Sequence, residues 1–165
     1  MLKGIAIHKS FGIKEILHGI DIQIEPGTIT TIIGPSGCGK STLLRCLALL
    51  DPPTTGEVVV DDLSITFPRD TPVPTDQVWP RLTVVFQQLF LWPHITIRQN
   101  ILLPLRSRRV TNPEDRAETL LNDFGITEFA DRHPNEVSLG QRQLGAIARA
   151  LALDPRYLLL DEITS

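Results

Sequence analysis

A chain of 165 residues, 42% of them hydrophobic, can bury one core but is too short for two domains of ordinary size. Its 16 basic and 19 acidic residues leave a net charge of -3 with no Lys/Arg cluster, which argues against nucleic acid as a partner. No stretch approaches the roughly 20 apolar residues that span a bilayer, and the opening MLKGIAIHKSFG lacks a secretory signal's apolar run, so any membrane connection is expected to run through a partner protein.

In chain order, residues 4–8 and 16–24 alternate apolar and polar side chains between turns at Gly12 and Pro26-Gly27, which predicts antiparallel strands. Residues 28–33 are β-branched throughout and predict a strand, followed by a Gly-rich turn and an apolar helical segment over 43–50. Residues 57–60, stopped by Asp61-Asp62, predict a hairpin strand. After the Pro-rich loop 68–74, residues 82–86 predict another strand that ends at Gln87-Gln88. A helix is expected over 113–124, with Asn112 as N-cap, Pro113 at the first helical position, Glu114 and Asp115 at the positive end of the dipole, and Gly125 closing it. A second helix is expected over 139–153, ended by Asp154-Pro155, and then a buried strand over 157–160 that stops at Asp161-Glu162. Most of the eight-residue step between Cys38 and Cys46 reads as helix, about 10 Å at ~1.5 Å per residue. That is beyond disulfide reach, so both are expected to be free thiols, as in a reducing cytosol.

The strongest chemical signal is Gly34-Pro35-Ser36-Gly37-Cys38-Gly39-Lys40-Ser41-Thr42, a G-x-x-x-x-G-K-[ST] phosphate-binding loop between a predicted strand and a predicted helix. Such a loop turns backbone N–H groups inward around phosphate oxygens, and the positive end of the following helix points at the same place. Lys40 is expected to reach the β and γ phosphates and the Ser41 hydroxyl to bind Mg²⁺, with Cys38 contributing only its backbone N–H. Asp161 and Glu162 fit a magnesium-binding Asp and a base that positions the attacking water, although two acids after a Leu run also fit a solvated strand end. In a parallel sheet, ligands bind at the carboxyl ends of strands, and Gly34, Gln87 and Asp161 each follow a predicted apolar strand.

Val137-Ser138-Leu139-Gly140-Gln141, followed by Ala146-Ile147-Ala148-Arg149-Ala150-Leu151, resembles the LSGGQ signature and following helix of ABC ATPases. Ser138 and Gln141 also fit a helix-starting capping box, and the two readings are compatible. The resemblance covers the whole chain and implies several roles. Phe11 takes the place of the aromatic that stacks on adenine, where a lone Phe would otherwise read as core. Gln87 takes the place of the glutamine that senses Mg²⁺ and the attacking water. Ser138, Gly140 and Gln141 face the γ-phosphate held by an opposite subunit. Residues 89–100 resemble the segment that, in polar amino acid importers, leads into a helical subdomain docking on the membrane permease; Trp92 reads equally as a packed residue and His94 as a helix cap. The departures are Leu139 for the signature's first glycine, Val137 for Leu, Leu144 for the usual Arg, and Ile163 for the proline of D-E-P-T-S.

The expected fold is α/β: a P-loop NTPase core of ABC ATPase type, with an N-terminal antiparallel β subdomain and an inserted helical subdomain, and with the C-terminal part of the core missing. Residues 1–87 would form the β subdomain and P-loop core, 88–140 the helical subdomain, and 141–165 the signature helix and the strand ending at Asp161. The resemblance implies an ATP-hydrolysing subunit of an importer, most like those for polar amino acids. It would use Lys40, Gln87 and Glu162 in catalysis, and Ser41, Gln87 and Asp161 around Mg²⁺. Its partners would be membrane permease subunits, a second ATP-binding subunit in a homodimer and, indirectly, a solute-binding protein, at the cytoplasmic face of the inner membrane. The alternatives are a catalytically inactive nucleotide-binding fragment of such a subunit, or a soluble P-loop kinase, which the signature helix argues against.

Overall fold

The computed structural model describes residues 1–162 and forms two compact units, 1–82 and 83–165. In the first, an antiparallel sheet is ordered β2-β1-β3-β4, from β1 (Leu2–Phe11), β2 (Lys14–Ile24), β3 (Thr55–Val60) and β4 (Leu63–Phe67). The expected alternation is present in β1, with one phase change. Leu2 and Gly4 face inward, the register shifts between Gly4 and Ile7, and Ile7 and Lys9 then face inward. The shift is a bulge in which Ala6 takes φ 47°, and without it Ala6 and His8 would point into the core instead. Gly56 of β3 lies opposite the bulge at φ 116°, where a Cβ would come within 2.4 Å of the Ala6 carbonyl oxygen. Helix α1 (Lys40–Leu47) packs on β1 and β2 and buries Leu43, Cys46 and Leu47. The short helix α2 (Thr75–Val78) lies beyond the Pro-rich loop.

The predicted strand over 28–33 does not form: those residues carry no strand pairing, and Ile29 and Ile33 are 97% and 89% exposed. A parallel-type strand is held by neighbours that satisfy its N–H and C=O groups. No described strand pairs with this segment, so its β-branched composition alone does not hold it extended in a sheet.

In the second unit, β5 (Leu82–Val85) pairs with β6 (Tyr157–Leu160), and three α-helices follow, α3 (Ile97–Ser107), α4 (Pro113–Asp123) and α5 (Leu139–Leu151), with two single-turn 3-10 helices at Thr127–Phe129 and Pro134–Glu136 joining α4 to α5. Helix α3 packs against both α4 and α5 around Ile97, Ile101 and Leu105 of α3, Leu120 and Leu121 of α4, and Ala148 of α5, with Ile126 from the loop after α4. A smaller cluster of Val85, Leu89, Ala146 and Ala150, with Ile147 and Leu158 against it, seats the strand pair on α5. Helix α4 starts at Pro113 as predicted and ends at Asp123, one residue before the expected end. Asn112, however, takes a left-handed φ of 51° and makes no side-chain cap bond, so the expected Asn112 cap is absent. Helix α3 is capped not by His94 but by Thr96, whose hydroxyl oxygen accepts from the Gln99 N–H while the Gln99 side chain accepts from the Thr96 N–H. Both cysteines are free, Cys38 exposed and Cys46 buried. Ile163 lies outside the described residues.

Candidate functional site

The glycine-rich loop over residues 34–39 belongs to the first unit and ends directly in α1. Gly39 caps that helix at φ 98°, and a Cβ there would meet Leu17 at 2.9 Å and Ile16 at 3.1 Å, so both the conformation and the space require glycine. The Lys40 ammonium reaches back over the loop and donates to the carbonyl oxygens of Gly34 and Pro35, at 3.0 and 3.1 Å. The Cys38 N–H donates to Pro35 O at 3.4 Å, closing a turn over residues 35–38 just before the helix. Ser41 and Thr42 lie in the first turn of α1, which holds no acidic residue of its own, and the positive end of a helix dipole favours an anion.

Phe11 stands at the end of β1 with half its surface exposed. One face of its ring lies on the Lys9 ammonium, 5.2 Å from the ring centroid. Lys9 itself is buried and held by Asp51 Oδ1 at 2.5 Å and Pro52 O at 2.6 Å. A buried charge paired in this way is a fixed support, and it orients an aromatic plane whose other side can receive a flat ligand. Sequence reading missed Lys9, because its partners lie more than 40 residues away; the available signal was a Lys at an inward position of an amphipathic strand.

In the second unit, the Asp161 N–H donates to the Val85 carbonyl at 2.9 Å, which sets Asp161 beside the end of β5, two residues before Gln87. Of the three residues expected at the ends of apolar strands, Gln87 and Asp161 follow the ends of the β5–β6 pair, whereas Gly34 follows the unpaired segment 28–33 and so has no strand before it. Asp161 is 6% exposed, whereas Glu162 follows it into solvent at φ 47°. Gln87 and Gln88 form the exposed corner of a turn closed by Leu89 N–H to Phe86 O at 2.8 Å. Leu89 and Phe90 then take φ of 59° and 45° in succession, a left-handed pair without glycine that costs about 1–3 kcal/mol per residue. The Arg149 guanidinium offsets this by donating to Phe90 O at 2.6 Å and Leu89 O at 2.8 Å, charged hydrogen bonds of about 1.5–3 kcal/mol each. Burial pushes the Arg149 guanidinium below its ordinary pKa, and it stays charged at neutral pH.

Ser138 and Gln141 form the predicted capping box: Ser138 Oγ accepts from the Gln141 N–H at 3.3 Å, and Gln141 Oε1 accepts from the Ser138 N–H at 2.9 Å. Ser138, Leu139 and Gly140 are exposed together, and a Cβ added at Gly140 would touch nothing within 4 Å. Asn100 was also missed. It is fully buried and staples the loop before α3, its side chain accepting from Trp92 N–H and donating to Trp92 O and Thr96 O. A polar residue on the apolar stripe of a helix is its sequence signal.

The family model for the ABC transporter matches residues 17–165. The chain belongs to the ABC transporter family. The glutamine transport ATP-binding protein GlnQ of Escherichia coli is 43% identical over 162 residues, covering 96% of this chain and 66% of that protein. The arginine transport ATP-binding protein ArtM of Bacillus subtilis is 41% identical over 168 residues, covering 100% and 69%. The ABC chain thus spans about two thirds of the length of these two relatives. A solved dimeric ATP-binding cassette in a post-hydrolysis state, bound to ADP and Pi, superposes with a TM-score of 0.86 at 34% identity, over 99% of this chain and 75% of that one.

Proposed function

We propose that this ABC chain is the nucleotide-binding and ATP-hydrolysing part of an importer subunit for polar amino acids. The observation that carries the reading is the glycine-rich loop before α1, whose lysine, left-handed Gly39 and acid-free first helical turn would form an anion cradle. Glutamine and arginine transport proteins among its relatives support the solute class. Phe11, backed by Lys9, would stack on adenine, and Gly34, Pro35, Ser36, Gly37, Cys38, Gly39 and Thr42 would wrap the phosphates with Lys40 against the β and γ oxygens. The Ser41 hydroxyl, the Gln87 amide oxygen and the buried Asp161 carboxylate are hard oxygen donors of the kind Mg²⁺ prefers. When bound, that ion supplies charge neutralisation at the β and γ phosphates. Glu162 would orient the attacking water and accept its proton. Ser138, Gly140 and Gln141 of a second copy would close on the γ-phosphate, with their helix start as the anion-facing end.

The partners in this reading are permease subunits, a second copy in a homodimer and, indirectly, a solute-binding protein, with the subunit peripheral at the cytoplasmic face of the inner membrane. No described helix is long and apolar enough to cross a membrane. A second reading, nucleotide binding without turnover, is favoured by Leu139, an exposed isobutyl group at the first position of α5 where the resembled signature has glycine. Phosphate release from MgATP distinguishes the two in a chain carried on to its relatives' length. Turnover is expected, and Glu162→Gln should lower it by about a hundredfold or more while ATP binding persists. Turnover of Glu162→Gln at the parent rate would remove Glu162 from the mechanism, and absence of turnover in the parent would favour the second reading.

A further inference from the structure

We propose that Arg149 is the positioning residue of the Gln87 turn, tying the last turns of α5 to the loop that sets where the Gln87 side chain points. Its side-chain partners among the described residues are two consecutive backbone carbonyls, those of Leu89 and Phe90, and no carboxylate. Those are the two residues held left-handed, and they follow Gln87 by two and three positions. A planar fork with two parallel N–H donors fits adjacent carbonyls, whereas an ammonium is a point donor that satisfies one geometry at a time. The rest of the turn is locally closed: Leu89 N–H bonds to Phe86 O, Phe90 N–H bonds to Gln88 O, and the Phe90 ring stands edge-on to Phe86 with centroids 5.5 Å apart. Leu89 is buried against Ala146 and Ala150 of the same helix, so the clamp and the packing act on one residue from one side. Helix α5 begins at the Ser138–Gln141 box, and the same rigid element therefore carries the signature at its start and grips the Gln87 turn near its end. The clamp itself does not depend on nucleotide chemistry; the task assigned to Gln87 rests on the function proposed above.

Amide hydrogen exchange on the nucleotide-free 165-residue chain tests the clamp. Arg149→Gln is expected to lower protection of the Leu89 and Phe90 amides by about tenfold or more, with α4 amides unchanged, and Arg149→Lys to fall between the two. Adding Phe90→Gly to Arg149→Gln should restore protection at Leu89, because glycine accepts the left-handed turn without the clamp. Unchanged protection at Leu89 and Phe90 in Arg149→Gln would overturn the proposal. So would a loss spread evenly along α5 that Phe90→Gly leaves in place, since that marks a helix-packing role. A second arm compares ATP affinity with and without Mg²⁺ in the chain carried on to its relatives' length. Arg149→Gln should reduce the magnesium-dependent gain as Gln87→Ala does, and should add nothing in a Gln87→Ala background. An additive loss there would overturn the link to Gln87. Failure of the parent to bind nucleotide would count against the proposed function, while the exchange result still decides the clamp.

Discussion

Cys46 and Cys38, eight residues apart in sequence, should answer a thiol reagent differently. Cys46 is fully buried on the inner face of α1, and burial pushes its thiol up to about 11, whereas Cys38 is exposed in the glycine-rich loop before that helix. Mild alkylation at pH 8 should therefore modify Cys38 alone, and peptide mapping that finds Cys46 equally modified in folded protein would contradict the buried position. The raised pKa also fixes a sign. The unfolded thiol ionises near 9 while the folded one holds its proton to about 11, so stability is full below pH 9 and declines as pH rises from 9 to 11. Cys46→Ala should remove that part of the alkaline decline in melting temperature. At this scale the motif residues were legible because short spacing carries their chemistry. Lys40 and Gly39 follow from the loop pattern, and Ser138 with Gln141 from a three-residue offset. Lys9, Asn100 and Arg149 were not, because their partners are backbone carbonyls or residues brought close only by folding.

Among the elements, α5 offers the cleanest separation of local from tertiary causes. Its capping box satisfies the Gln141 and Ser138 N–H groups at the helix start, so Ser138→Ala should cost about 1 kcal/mol and lower the melting temperature by about 2–4 °C. Ser138→Asp, another good cap, should retain most of the stability; equal melting of Ser138→Ala and the parent would show that the box does not hold the helix. Helices were legible where periodicity and caps agreed, as in α5 and the body of α4. The Thr96-x-x-Gln99 signal for α3 was in the sequence too, but His94 drew the expectation two residues too early. The segment 28–33 failed for the opposite reason. Its residues favour a strand, but strand formation needs pairing partners that composition does not report, and no described strand supplies them.

For the whole molecule, the consequence is exposed apolar surface. Ile13, Ile29 and Ile33 are 108%, 97% and 89% exposed, and Leu160 at the end of β6 is 43% exposed. Residues 28–33 also carry backbone groups outside any strand pairing, which favours pairing between chains. The 165-residue chain is therefore expected to bind a hydrophobic dye and to associate with rising concentration, while Ile29→Lys with Ile33→Lys should reduce both. A monodisperse parent chain that binds no dye at high micromolar concentration would contradict this.

The measurement that bears most directly on the account is calorimetric titration of MgATP into the chain carried on to its relatives' length, with Lys40→Ala alongside. The Lys40 ammonium lies over the glycine-rich loop that, in the proposed function, would cradle the β and γ phosphates, and its removal would leave those charges without their fixed cation. The predicted result is saturable binding by the parent and a loss of at least about tenfold in affinity for folded Lys40→Ala, roughly 1.4 kcal/mol or more. Equal affinity of the two folded proteins would contradict the assignment of residues 34–42 as the nucleotide site.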